Sequence, residues 1–238
     1  ASLPVPTITG PAFVCAGESE ATYTTQSSMS GYDWSVSPGG VITSGNGTNQ
    51  ITITWNTDGP QTVSINYTNA NGCTAENPSV MDVTVRPLPT YSFDISATEI
   101  CSGGTVDFIN YFSGVAPWTV VYSYNGAQSS FTTFNNPDYY SEVFTETTEN
   151  RIISVTDGNG CTAMINTITI ITVNPLPVPT ISGATFVCEG ATGETYTTES
   201  GMTDYNWAVS EGGTITSGAG TNTITVDWSG EESQTVSV

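Results

Sequence analysis

Five cysteines, 22 carboxylates and the complete absence of histidine and lysine set the chemistry open to this 238-residue chain. Without imidazole or amine, the usual general bases and activated-nucleophile partners are gone. A pair of carboxylates, as used in glycoside hydrolysis, is the acid–base route left. Thiols add a second option, disulfide formation. Cys15 and Cys73 are separated by almost the same length of chain as Cys101 and Cys161, with Cys188 left over. Near-equal spacings predict one bridge per structural unit, Cys15–Cys73 and Cys101–Cys161. The alternative is reduced, buried cysteine acting as a small hydrophobe. Disulfides at this density point to an oxidising, extracytoplasmic setting.

The elements that must position these residues come from a repeat. LPVPTITG at Leu3–Gly10 returns as LPVPTISG at Leu176–Gly183, and a shorter PLPT lies between them at Pro87–Thr90. Leu3–Ile65 aligns with Leu176–Val238 without a gap at a constant offset of 173, and 37 of 63 positions are identical. Such a period is long enough for one folded domain per repeat, unlike the 20–50-residue unit of a solenoid. The predicted domains are 1–87 and 176–238, of one type, flanking 88–175 of a second. The counterpart of Cys73 in the third repeat falls at position 246, so Cys188 is expected to find its partner beyond Val238.

Hydrophobic alternation with period two runs through the first repeat: Tyr32, Trp34 and Val36; Ile51, Ile53 and Trp55; Val63, Ile65 and Tyr67; Met81, Val83 and Val85. Gly-, Asn- and Pro-rich clusters separate these runs, the pattern of short antiparallel strands joined by turns. The middle repeat shows strands at TVDFIN, WTVVYSY, YSEVFTE, RIISVTD and TITIITV, with Asn125-Gly126 suited to a type I′ hairpin turn. About seven strands per unit predict an all-β chain of tandem antiparallel β-sandwiches. Trp34, Trp118 and Trp207, at similar distances after Cys15, Cys101 and Cys188, are the expected core anchors. Each unit's last strand runs straight into a proline-containing join with no Gly/Ser linker. Proline fixes φ and holds its predecessor extended, so the domains are expected end to end with restricted swing.

Charge narrows the partners. A net charge of −20 with only Arg86 and Arg151 as cations excludes binding to nucleic acid or anionic membrane. No apolar run approaches the ~18 residues of a membrane-spanning helix. Catalysis by carboxylates is weakened by the repeat itself. Asp33 becomes Asn206, Glu20 becomes Gly193 and Asp58 becomes Glu231, so the aligned copies share no identical acid. Asp157-Gly-Asn-Gly has the look of a calcium loop, but its counterpart begins at Asn69, and a turn leading into the cysteine is the preferred reading; no cofactor is expected. Phe131, Phe134, Tyr139, Tyr140 and Phe144 form an aromatic run that could stack on sugar rings, although core filling is preferred. Asn46 and Asn66 open N-glycosylation sequons by pattern and read as turn and strand residues.

With strands and joins placed, a family resemblance emerges. YDWSVSPGG (Tyr32–Gly40) and YNWAVSEGG (Tyr205–Gly213) resemble the Tyr-x-Trp strand and glycine turn of PKD-like domains, and YTNANGCTA and VTDGNGCTA resemble their late strand and turn. The combination with VC-x-G and the PLP-x-PT joins is similar to the repeats of large Bacteroidota surface adhesins of the SprB type and other type IX secretion substrates. The WDFGDG turn of typical PKD domains is replaced here, so ligand residues do not transfer. The resemblance implies a non-enzymatic, disulfide-stapled, semi-rigid stalk on the bacterial outer surface, serving attachment or gliding. Its partners would be neighbouring repeats and surface polysaccharide. The alternative is a spacer or carbohydrate-binding module of a secreted polysaccharide-degrading enzyme.

Overall fold

The computed structural model describes residues 2–17 and 20–238. Every regular element among them is a β-strand. The chain divides into two compact units, the first ending at Asn174 and the second starting at Pro175. The first unit holds two sandwiches. In repeat one the strands are β1 (Phe13–Cys15), β2 (Ala21–Thr24), β3 (Ser30–Val36), β4 (Gly40–Ser44), β5 (Gln50–Trp55), β6 (Gly59–Thr68) and β7 (Ser79–Arg86). They form a four-stranded sheet ordered β1-β7-β6-β3 facing a three-stranded sheet ordered β2-β5-β4. The alternation seen in sequence is what seals them. Trp34, Ile51, Ile53, Trp55, Val63, Ile65, Val83 and Val85 all point inward and are buried, since alternate strand residues share a face.

Repeat two comprises β8 (Tyr91–Ile95), β9 (Glu99–Cys101), β10 (Gly104–Phe112), β11 (Trp118–Tyr124), β12 (Ala127–Thr133), β13 (Asp138–Phe144), β14 (Thr148–Thr156) and β15 (Thr162–Asn174). Its sheets are ordered β13-β10-β8 and β12-β11-β14-β15-β9. Asn125 and Gly126 both take positive φ, 48° and 84°, as the type I′ turn between β11 and β12 requires. Trp118 is buried and stacks on Phe112 with ring centroids 5.2 Å apart.

The second unit contains β16 (Ser182–Gly183), β17 (Glu194–Thr197), β18 (Ala208–Val209), β19 (Gly213–Ser217), β20 (Thr223–Trp228) and β21 (Val236–Ser237). It reproduces repeat one at the level of register. Gly213 pairs with Trp228 as Gly40 pairs with Trp55, and the bulge between Ile215 and Ser217 matches that between Ile42 and Ser44. Trp207 is buried and its indole donates to the Thr221 carbonyl at 2.9 Å, as Trp34 donates to Thr48 at 2.8 Å.

Two details of the strands decide where the cysteines lie. In each complete repeat the chain makes a short strand that pairs in parallel with the last strand. These are β1 on β7, with Cys15 opposite Arg86, and β9 on β15, with Cys101 opposite Asn174. The late Asn-Gly-Cys turn closes the opposite end of the sandwich, next to the incoming chain. The Asn69 amide donates to the Ser2 carbonyl at 3.1 Å, and the Tyr67 hydroxyl reaches the Val5 carbonyl at 3.5 Å.

Candidate functional site

The first site is the junction between repeats one and two. Cys15 is bonded to Cys161, with Cα atoms 5.5 Å apart across 146 residues of chain. This corrects the pairing drawn from spacing. Cys15 and Cys73 cannot meet, because they sit at opposite ends of repeat one: Cys15 beside Arg86 where the chain leaves, Cys73 beside Ser2 where it arrives. The ten residues of β6 run between these ends, about 30 Å of strand. Cys101 and Cys161 are divided in the same way in repeat two. Cys73, Cys101 and Cys188 carry free thiols, so the bridge clasps neighbouring sandwiches rather than pinning one.

Local chemistry builds both halves of the clasp. Asp157 organises the turn that presents Cys161. One carboxylate oxygen accepts the backbone N–H of Asn159 at 2.9 Å and of Cys161 at 3.1 Å. The other accepts Val115 N–H at 3.2 Å and the Asn159 amide at 3.3 Å. With four protein donors on it, this carboxylate acts as a turn organiser, and Asn69 does the same job before Cys73 through contacts of 3.0 and 3.1 Å. On the other side, the Arg86 guanidinium lies 4.7 Å from the centroid of the Phe13 ring and donates to the Asn159 carbonyl at 3.3 Å. Cys161 itself is fully buried. Sequence reasoning missed Arg86 as a junction residue; its position immediately before Pro87-Leu88-Pro89 was the available signal.

The proline joins are tied to the sandwiches by side chains. The Gln26 amide accepts the Thr7 N–H at 3.1 Å and donates to the Thr7 hydroxyl at 2.9 Å. In the third repeat Glu199 stands at the Gln26 position and takes the Thr180 N–H at 3.0 and 3.1 Å and the Thr198 hydroxyl at 2.7 Å. These bonds, those from Thr180 first, hold its carboxyl at about 2, below the usual 4.5.

The second site is a cavity of about 280 Å³ between the sheets of repeat two, lined by Tyr91, Phe108, Tyr122, Tyr124, Phe131 and Tyr140 among others. Of the aromatic run noted in sequence, Phe144 is buried and Phe131 packs at the core's edge, whereas Phe134, Tyr139 and Tyr140 are exposed. Sequence did not foresee the polar lining. The Tyr91 hydroxyl donates to Asn110 at 2.7 Å, and the Thr133 hydroxyl donates to Asp138 at 2.7 Å. The buried side-chain amide oxygen of Asn150 accepts no hydrogen bond. Burial, then Asp138, pushes the Tyr91 phenol up; burial, then Glu142, raises Tyr124 to about 12. Both phenols therefore stay neutral and can donate or accept hydrogen bonds. Among the described residues no three acidic or cysteine side chains converge as a metal site.

Sheets of this topology joined in series define a tandem β-sandwich protein. More specifically, the chain belongs to the PKD-like domain family, whose pattern matches residues 1–83 and 174–238. No curated protein sequence matches it. Among solved structures it is similar to part of a 1.5-MDa bacterial ice-binding adhesin, with 14% identity, a TM-score of 0.39, and 95% of this chain and 88% of that one covered. It is also similar to the Escherichia coli adhesin FdeC, at 17% identity and a TM-score of 0.38 over 94% of this chain and 88% of that one. A third is the set of fibronectin(III)-like modules of Clostridium thermocellum CbhA, at 13% identity and a TM-score of 0.40 over 71% of this chain and 95% of that one. Similarity at this level concerns the sandwich fold alone.

Proposed function

We propose that this chain is a load-bearing stalk segment of a long, secreted, surface-anchored adhesin, projecting a distal binding end and carrying tension along the repeats. The observation that carries the reading is the covalent clasp at the repeat junction. A disulfide between successive domains limits their separation under load in a way that a bridge within one domain does not. The proline joins, tied down by Gln26 and Glu199, favour the same role. A surface free of lysine and rich in carboxylates suits an extracellular protein that must not stick to nucleic acid or anionic lipid. In this reading the chain performs no catalysis and needs no cofactor. Its kin in role are the SprB-type adhesins of gliding Bacteroidota that its joins and Asn-Gly-Cys turns resemble. The test is in the producing cell. Antibody to repeat two should label intact cells, and deletion of the gene should abolish attachment or gliding. Labelling that requires permeabilisation, or unchanged attachment and motility, would refute the reading.

A second reading is favoured by the aromatic cavity: repeat two holds a neutral saccharide, its ring against the exposed Tyr140 and the neighbouring aromatic lining. A glycan array with residues 1–174 should then show binding that Tyr139→Ala, which removes a further ring of the cavity lining, weakens. Tyr139 is 72% exposed, so its loss leaves the core intact. Silence across the array would remove this reading and leave the first standing.

A further inference from the structure

Three cysteines remain outside the clasp, and two of them repeat its halves. Cys101 is the structural counterpart of Cys15. Each ends the short parallel strand, opposite the last residue of the final strand, Asn174 and Arg86 respectively. The hydrogen bonds around them coincide as well. Ser102 N–H donates to the Asn174 carbonyl at 2.8 Å, as Ala16 N–H donates to Arg86 at 2.8 Å, and Thr172 N–H donates to Thr98 as Thr84 N–H donates to Ala12, both at 2.8 Å. Cys73 is likewise the counterpart of Cys161. Asn69 N–H donates to the Cys73 carbonyl at 2.9 Å and Asp157 N–H to the Cys161 carbonyl at 3.0 Å. The flanking threonine pairs Thr68–Thr74 and Thr156–Thr162 are 2.9 and 2.8 Å apart, and Gly72 and Gly160 share a positive φ.

We propose that Cys73 is an acceptor for the Cys101-type cysteine of a preceding repeat of the second type, so that the cysteine ending each repeat's short parallel strand bonds the Asn-Gly-Cys turn of the next in a continuous ladder. All five cysteines then have one rule. Cys15–Cys161 is a rung already formed, and Cys73, Cys101 and Cys188 are halves of further rungs. The inference rests on junction geometry and stands independently of the surface role.

The join from a second-type to a first-type repeat, NPLPVPT, is longer than RPLPT by a Val-Pro pair, but both begin with a proline directly after the last strand residue, Pro175 and Pro87. Cys101 lies opposite Asn174. The next residue, Pro175, corresponds at the repeat offset to Ser2, whose carbonyl accepts from Asn69, and Asn69 also accepts the Cys73 N–H. By this correspondence, the chain leaving β15 opposite Cys101 would pass the Asn-Gly-Cys turn of a following first-type repeat within one residue.

Bond formation needs a two-electron oxidant, here a disulfide such as oxidised glutathione. The Cys73 thiolate attacks one glutathione sulfur and expels a glutathione thiolate. The Cys101 thiolate then attacks the Cys73 sulfur of the mixed disulfide and expels the second. Two protein thiols become one S–S bond, while one oxidised glutathione becomes two reduced molecules that take up the two protons.

The test extends the full chain by a second copy of residues 88–175 joined directly ahead of Leu3, which recreates the NPLPVPT join. The added copy carries Cys161→Ser, and the original chain carries Cys101→Ser and Cys188→Ser, so each remaining cysteine is unique. After oxidation with glutathione, non-reducing peptide mapping should recover Cys15–Cys161 together with Cys101–Cys73, with both latter thiols lost to alkylation. Cys15–Cys161 forming while Cys73 and Cys101 stay alkylatable would overturn the proposal. So would recovery of Cys15–Cys73, or failure of Cys15–Cys161 itself, since that bond is the template for the rung.

Discussion

Pulling on the ends of the chain should reveal how much of it the clasp removes from the path of the force. Tension entering before Cys15 crosses the sulfur–sulfur bond to Cys161 and leaves towards Asn174. The 146 residues spanned by the bridge carry none of it while the bond lasts. Fully extended chain spans about 3.3–3.6 Å per residue, so the hidden length is about 510 Å. In single-molecule extension of the full chain, adding reductant should lengthen the final stretched state by that amount. The unfolding of residues 175–238 contributes equally with and without reductant and cancels.

The pairing suggested by spacing makes a different prediction. Bridges Cys15–Cys73 and Cys101–Cys161, one per repeat, would together hide roughly 410 Å at the same extension per residue. The two values differ by about 100 Å, a gap that a force–extension curve resolves. A gain matching the smaller value, released in two steps, would refute the clasp and the load path drawn from it. The variant Cys15→Ser should behave as the reduced protein in either buffer.

The same geometry fixes other outcomes. Glu199 has a folded-state pKa lowered to about 2 from 4.5, so its stabilising contribution is complete above pH 4.5 and is lost as pH falls towards 2. Amide exchange at Thr180 should accelerate over that window while Thr7, held by the non-titrating Gln26, is unaffected by it, and Glu199→Gln should abolish the difference. Gly45 has φ +77°, and a Cβ there would lie 2.0 Å from the Gln50 carbonyl oxygen; Gly45→Ala should cost repeat one about 3 kcal/mol, read as a lowered urea midpoint. A chelator should leave the melting temperature unchanged, because protein donors fill the Asp157 carboxylate; a large drop would reinstate calcium.

Much of the sandwich was legible because strand alternation and burial are local properties. Tyr32-Trp34-Val36 and Ile51-Ile53-Trp55 announce their inner faces by period two alone, and the gapless repeat carries the register of β4 and β5 over to β19 and β20. The aromatic cavity was only half legible. Phe131 and Tyr140 belong to the aromatic run, but Tyr91, Phe108, Tyr122 and Tyr124 lie outside it, and Asn110, Asp138 and Asn150 come from three separate strands that nothing in their spacing brings together. The short parallel strands β1 and β9 were also hidden. Each pairs with the last strand of its own repeat, a non-local contact that no local period encodes.

The cysteines failed for a deeper reason than distance. In a tandem array, a bond from residue i to residue j of the same repeat and a bond from i to the equivalent of j in the next repeat differ by one period. Both leave the same regular series of cysteines. Spacing therefore cannot choose between Cys73 and Cys161 as the partner of Cys15, and loop-closure entropy helps little, since it grows only with the logarithm of loop length. What chooses is which end of the sandwich each cysteine occupies, and that is set by the run of chain that begins with Ser2 beside Asn69 and Val5 beside Tyr67 and ends with Cys15 opposite Arg86. β1 has only 3 residues, so reversing it in place would shift Cys15 by about 7 Å, from opposite Arg86 to opposite Thr84, and leave it still at the far end of the sandwich from Cys73.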